Sequence, residues 1–111
     1  MAMMMPKIEQ FSVYHNKSLN RQLFPLLLTV QCNMFRNFST ATILPLMLAS
    51  RLTVPLIPRL NLTFDIDCMR YVVITQHIFT IERQYLGERL VDMSDNANAI
   101  IGAVDYLLLG Y

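Results

Sequence analysis

Apolar and polar residues alternate most cleanly near the middle of the chain. There Leu60, Leu62, Phe64 and Ile66 interleave with Asn61, Thr63, Asp65 and Asp67. A period of two places the apolar set on one face of a strand and the polar set on the other. Residues 71–75 are β-branched and aromatic and predict a returning strand, so the two runs form an antiparallel hairpin. Asp67 and Cys68 lie between them. Tight hairpin turns favour Gly or Asn with positive φ, so Cys68 predicts a longer or bulged turn.

The pattern upstream predicts shorter elements. Residues 10–15 suit a first strand and residues 15–20 a polar turn. Residues 23–31 form an apolar second strand with Pro25 at its edge or start. Residues 33–40 are mixed and carry Met34, Phe35 and Phe38. Residues 42–49 read as another apolar strand, and Pro55 and Pro58 make residues 50–59 an irregular connector. A short element follows at 77–83, and Leu86 and Gly87 mark a bend.

The period changes near the end. Ser94 is a good helix N-cap, and Asp95 in the first turn suits the helix dipole. Ala97, Ile100, Ile101, Val104 and Leu108 then recur at helical spacing and form the stripe expected to pack on the sheet. Asn98, Gly102, Asp105 and Leu109 fall on another face. Gly110 ends the helix, and Tyr111 follows. Chain ends are usually polar and frayed unless they dock. Leu109 and Tyr111 therefore either tuck into their own core or anchor a partner, since interface hot spots favour large apolar and aromatic groups.

These elements sum to a mainly β (α+β) chain with one C-terminal helix. Residues 1–9 read as an N-terminal extension and the start of the first strand, and residues 10–111 as a single domain.

Composition adds a surplus of apolar surface. Hydrophobic residues make up 54% and charged residues 15% of the 111 positions, against about 45–50% and about 25% in typical domains. A membrane is a poor destination for that surplus. The longest apolar run, 43–49, is interrupted by Pro45, and a spanning helix needs about 20 apolar residues. Met1 to Met5 are not preceded by a basic region or followed by a long apolar run, so they do not read as a signal peptide. The surplus points to a core plus an obligate homodimer interface in a cytoplasmic protein. Nine basic residues balance eight acidic ones without a basic patch, which gives no basis for direct nucleic-acid binding by the chain alone. Cys32 and Cys68 form no ligand-spaced pair and are expected to be reduced thiols.

No catalytic, cofactor or metal constellation stands out. His15 and His77 are the only histidines and sit in no catalytic or zinc motif. Three glycines cannot build a phosphate-cradling loop. Asp65 and Asp67 are expected on the solvent face of their strand. Arg70 and Arg83 could serve RNA cleavage, but no matched base lies near them in sequence.

Several stretches together resemble CcdB-type toxins. They are Gln10, Phe11, Ser12, Val13 and Tyr14; Thr29, Val30 and Gln31 followed by Leu44, Pro45 and Leu46; and Arg59, Leu60 and Asn61. Phe64 to Asp67, Arg70 to Gln76, Leu86 with Gly87, and the run from Ile100 to Tyr111 complete the set. The second half is especially similar to the chromosomal branch. The resemblance implies an SH3-like antiparallel β-barrel with a small additional sheet and a C-terminal helix, assembled as a homodimer. It implies a toxin that binds the A subunit of DNA gyrase and traps cleaved DNA, without being an enzyme. A CcdA-type antitoxin would neutralise it and join it in repressing their operon.

By the same resemblance, Leu109, Gly110 and Tyr111 would be central to gyrase contact. Asp105 would lie one turn earlier, Leu108 would share the surface, and Met34 and Phe35 would join from a loop. Leu109 stands where the best-studied member has Trp, Tyr111 where it has Ile, Asp105 where it has Asn, and Leu108 where it has Phe. Gly110 is kept. Two alternatives stay open: an endoribonuclease of the MazF and Kid kind on the same fold, or a non-toxic member that only binds antitoxin and regulates transcription.

Overall fold

In the computed structural model, which describes residues 8–111, the chain forms β1 (Ser12–Asn16), β2 (Leu26–Thr29), β3 (Thr40–Leu48), β4 (Thr63–Ile66), β5 (Met69–Val73), β6 (Phe79–Glu82), β7 (Leu86–Asp92) and α1 (Ala97–Leu109). The strands hydrogen-bond in the order β4-β5-β3-β2-β1-β7, with β6 pairing β3 off this path, and every pair is antiparallel. This is the mainly β architecture expected: a half-barrel of seven strands with one C-terminal helix. The small additional sheet takes the form of a branch at β3. Met1 to Met5 lie outside the described residues.

β3 is the organising strand. One edge pairs along β2, from Thr29 with Ile43 to Leu26 with Leu46. Its other edge is shared between β6, at residues 40–43, and β5, at residues 46–48. Pro45 sits at that changeover. Its carbonyl accepts the Ile74 N–H at 2.9 Å on the same edge, so its missing N–H falls between two partner strands. A proline inside a strand is tolerated at such a gap.

β2 is buried on both faces, which explains its unbroken apolar sequence. Leu26 and Leu28 face a core of Val13, Leu44, Leu46, Val73 and Ile100, whereas Leu27 faces Ile8, Ala41, Ile43 and Ile81. A third cluster gathers Phe24, Val72 and Ile74. Buried polar groups are matched. Thr29 Oγ1 accepts the Ser12 N–H at 3.2 Å and donates to the Glu9 carbonyl. Asn16 Nδ2 donates to the Phe24 carbonyl at 2.7 Å. No buried side-chain polar atom among the described residues is left without a partner.

The structure revises four expectations. The β4–β5 turn is tight, because Ile66 pairs Met69 directly and Asp67 (φ 52°) and Cys68 (φ 65°) both take the left-handed conformation. That is the geometry of a two-residue hairpin turn made without glycine. Asn61 is buried rather than solvent-facing and donates through Nδ2 to the Val73 carbonyl at 3.1 Å.

Leu86 and Gly87 open a strand rather than a bend. A Cβ on Gly87 would come within 3.1 Å of His15, so the glycine serves the close approach of β7 to β1. Finally, Ser94 does not cap α1. It begins a 3₁₀ turn, Ser94–Asn96, and Asn96 holds the cap position without a side-chain hydrogen bond. Asp92 Oδ1 accepts the Ser94 N–H at 2.8 Å and turns the chain out of β7.

Candidate partner-binding surface

α1 has few polar residues to fix which face turns inward. Ile100 and Ala103 are fully buried, with Ala97 and Val104 packed beside them. Ile101 (46% exposed) and Leu108 (70% exposed), expected on the core stripe, face outward instead. With Asp105 and Leu109 (58% exposed) they form an outer face of apolar side chains around one carboxylate.

Gly110 closes the helix as expected. Its φ is 79°, and its N–H bonds the Tyr106 carbonyl at 2.9 Å. An αL glycine at this position costs no Cβ clash. Tyr111 then stands 79% exposed. Leu109 and Tyr111 are thus not tucked into the core.

Met34 and Phe35 lie on a 3₁₀ turn, Asn33–Phe35, in the loop between β2 and β3. Both are exposed, and Phe38 is exposed beside them with its ring 5.2 Å from that of Phe35. The loop is firmly held. Asn33 Oδ1 accepts the Gln10 N–H at 2.8 Å, and Gln31 Nε2 donates to the Phe35 carbonyl at 2.9 Å. Arg83 Nη1 donates to the Arg36 and Phe38 carbonyls, and Arg36 pairs with Glu9 at 3.3 Å. The loop's polar and ring contacts run to residues 9–10, 31 and 83. Those of the end of α1 run to Arg59, whose guanidinium carbon lies 4.6 Å from the Tyr106 ring centroid. The two candidate patches are therefore carried on separate supports.

The arginines weighed for RNA cleavage are engaged in structure. Arg70 donates to Asp65 through Nε at 3.0 Å and Nη2 at 3.4 Å. That hydrogen bonding, with the attraction of the charges, holds the Asp65 carboxyl below its usual range and raises Arg70. Arg83 supports the 33–38 loop. A surface cavity of about 440 Å³ lies between Ser18, Leu19 and Asn20 and strand β6. Its lining offers one carboxylate, Glu82, and no histidine or arginine. Among the described residues no group of His, Cys, Asp and Glu could hold a metal ion, and no helix is long and apolar enough to cross a membrane. Cys32 and Cys68 are unpaired and exposed.

The half-barrel with its terminal helix is the fold of known toxins. The Mycobacterium tuberculosis toxin MazF-mt6 superposes with a TM-score of 0.70 at 15% identity, covering 87% of this chain and 95% of that one. An endoribonuclease from a mycobacterial species, in complex with its cognate antitoxin, gives 0.66 at 19% identity over 89% and 92%. An endoribonuclease from a mycobacterial species gives 0.68 at 19% identity over 94% and 93%. At such identities the likeness is one of fold.

The class defined by the fold is thus the MazF/CcdB-like half-barrel with a C-terminal helix. Within it, the chain belongs to the CcdB family, whose description, CcdB protein, matches residues 10–110. It is a toxin of the toxin–antitoxin kind. No curated protein sequence matches it.

Arg59 was not singled out as a support by the sequence. Only its left-handed backbone (φ 71°) and its position over Tyr106 give it away.

Proposed function

We propose that the chain poisons DNA gyrase by binding its A subunit and holding the enzyme on cleaved DNA. It acts as a cytoplasmic homodimer of a single toxin domain, performs no catalysis, and is neutralised by a CcdA-type antitoxin. The observation that carries this reading is the exposed, glycine-capped end of α1. There Leu108, Leu109 and Tyr111 present apolar surface that the protein's own core does not use. Isolated exposed apolar residues are common. A consecutive apolar set around a left-handed Gly110 is less so, and large side chains of this kind anchor interfaces. Met34 and Phe35 add a second contact from the loop, and Asp105 supplies a polar rim. In an isologous dimer both patches are duplicated about one axis, which suits a two-fold symmetric target.

The test is a supercoiling and cleavage assay with purified gyrase. Micromolar toxin is expected to accumulate linear, cleaved DNA. Absence of cleaved DNA would sink the gyrase reading. A metal-free RNA digest probes the endoribonuclease alternative, and growth arrest on expression separates an active toxin from a purely regulatory one.

A further inference from the structure

We infer that Arg59 is a positioning residue for the contact surface, clamping the last turn of α1 through Tyr106 so that residues 108–111 are pre-ordered for a partner. The inference rests on the proposed role of that surface, and it deepens it.

Arg59 stands on a rigid base. The Leu60 and Asn61 N–H groups both donate to the Ile57 carbonyl, at 3.1 and 2.9 Å. The Asn61 side chain accepts the Ile57 N–H at 3.1 Å and donates to Gln76 Oε1 at 2.7 Å. Leu60 and Asn61 are themselves buried. Between this anchored pair and the exposed connector, Arg59 adopts φ 71°. A long side chain at left-handed φ is strained, and such strain persists where the surroundings impose it. What that conformation delivers is a guanidinium 4.6 Å above the Tyr106 ring.

Tyr106 is where the clamp meets the tail. Its ring takes the cation, and its carbonyl takes the Gly110 N–H at 2.9 Å. Helix ends fray when nothing holds them. A partner that binds a frayed end must first order it, at a cost in affinity. The clamp removes part of that cost.

The experiment compares Arg59→Gly, Arg59→Lys, Tyr106→Leu and Tyr106→Phe. Glycine relieves the left-handed strain while removing the cation, so Arg59→Gly separates the clamp from the turn's own stability. It is expected to keep or raise the unfolding temperature. At the same time, Gly110 amide hydrogen exchange in the free protein should speed up about two- to fivefold, the range of an exposed cation–π contact. The toxin concentration giving half-maximal gyrase cleavage should rise by a similar factor. Tyr106→Leu should reproduce the faster exchange, whereas Arg59→Lys and Tyr106→Phe, which keep a cation over a ring, should restore slow exchange. Unchanged Gly110 exchange in both Arg59→Gly and Tyr106→Leu overturns the clamp. So does a change that merely tracks unfolding temperature across all variants. Gyrase inactivity of the unmodified protein would defeat the functional reading alone, because Gly110 exchange is measured without gyrase.

Discussion

The loop around Met34 and Phe35 and the end of α1 both expose apolar side chains, yet they are built in opposite ways. The loop is tied from several directions, by Asn33, Gln31, Arg36 and Arg83. The end of α1 is held by one capping bond and one cation over a ring. A surface of the first kind arrives at a partner already shaped. A surface of the second kind is only as ordered as those two contacts make it. The contrast teaches that exposure alone does not describe a contact surface. How its residues are held decides what a substitution there will change.

The largest effect should come from undermining the helix. Ile100 is fully buried on the inner face of α1, so Ile100→Ala should lower stability by about 2–5 kcal/mol. Urea unfolding measures this, and the 33–38 loop should keep its native amide shifts below the transition. Loss of both patches together would show that they are not separately supported.

Next is the loop itself. Phe35→Ala should weaken gyrase A subunit binding by about 2 kcal/mol if Phe35 is an anchor, with a stability loss of about 0.5–1.5 kcal/mol from its ring pair with Phe38. Equal affinity by calorimetry would remove the loop from the interface.

Gly110→Ala comes third. A Cβ there meets nothing within 4 Å, so the penalty is conformational, about 1 kcal/mol at φ 79°. Circular dichroism should show a slightly shorter helix with an unchanged core.

The smallest effect is acidic. Asp92 holds its carboxyl below the ordinary range, first by accepting the Ser94 backbone N–H and then the Ser94 hydroxyl, with Arg89 adding a lesser attraction. A folded value below the unfolded one, about 3.9, stabilises above that pH. The contribution is lost as pH falls through the folded value. Relative to their intrinsic rates, the amides of residues 94–96 should therefore lose protection at low pH, and Asp92→Asn should flatten that loss.

Much of this architecture was legible in the chain. The alternation from Leu60 to Ile66 marked β4 and its inner face, and the β-branched run after it marked β5. Their turn was misread because Asp67 and Cys68 both accept left-handed φ under the constraint of strand pairing, which local propensity does not record. β7 was missed because its sequence, Leu-Gly-Glu-Arg-Leu-Val-Asp, has no clean period. It is a half-buried edge strand whose pairing with β1 shifts register and joins distant parts of the chain.

The helix was found and its phase in part, since Ala97, Ile100 and Val104 of the expected stripe pack on the core and Ile101 and Leu108 do not. Apolar residues surround α1, so several stripes fit the sequence, and only packing selects Ile100 and Ala103 over Ile101 and Leu108. The cap at Gly110 was readable because the chemistry of φ is local. The Arg59 contact was not, since a cation reaching a ring from a connector leaves no spacing to detect.

The central claim is that the end of α1 anchors the partner. Titration of purified gyrase A subunit with the intact protein and with a form lacking residues 109–111 tests it most directly. The account predicts that the shortened protein still unfolds cooperatively with only about 1 kcal/mol lost with the Gly110 cap, while its affinity falls by at least about 30-fold, the loss of one hot spot. Equal affinity of the two forms would contradict it.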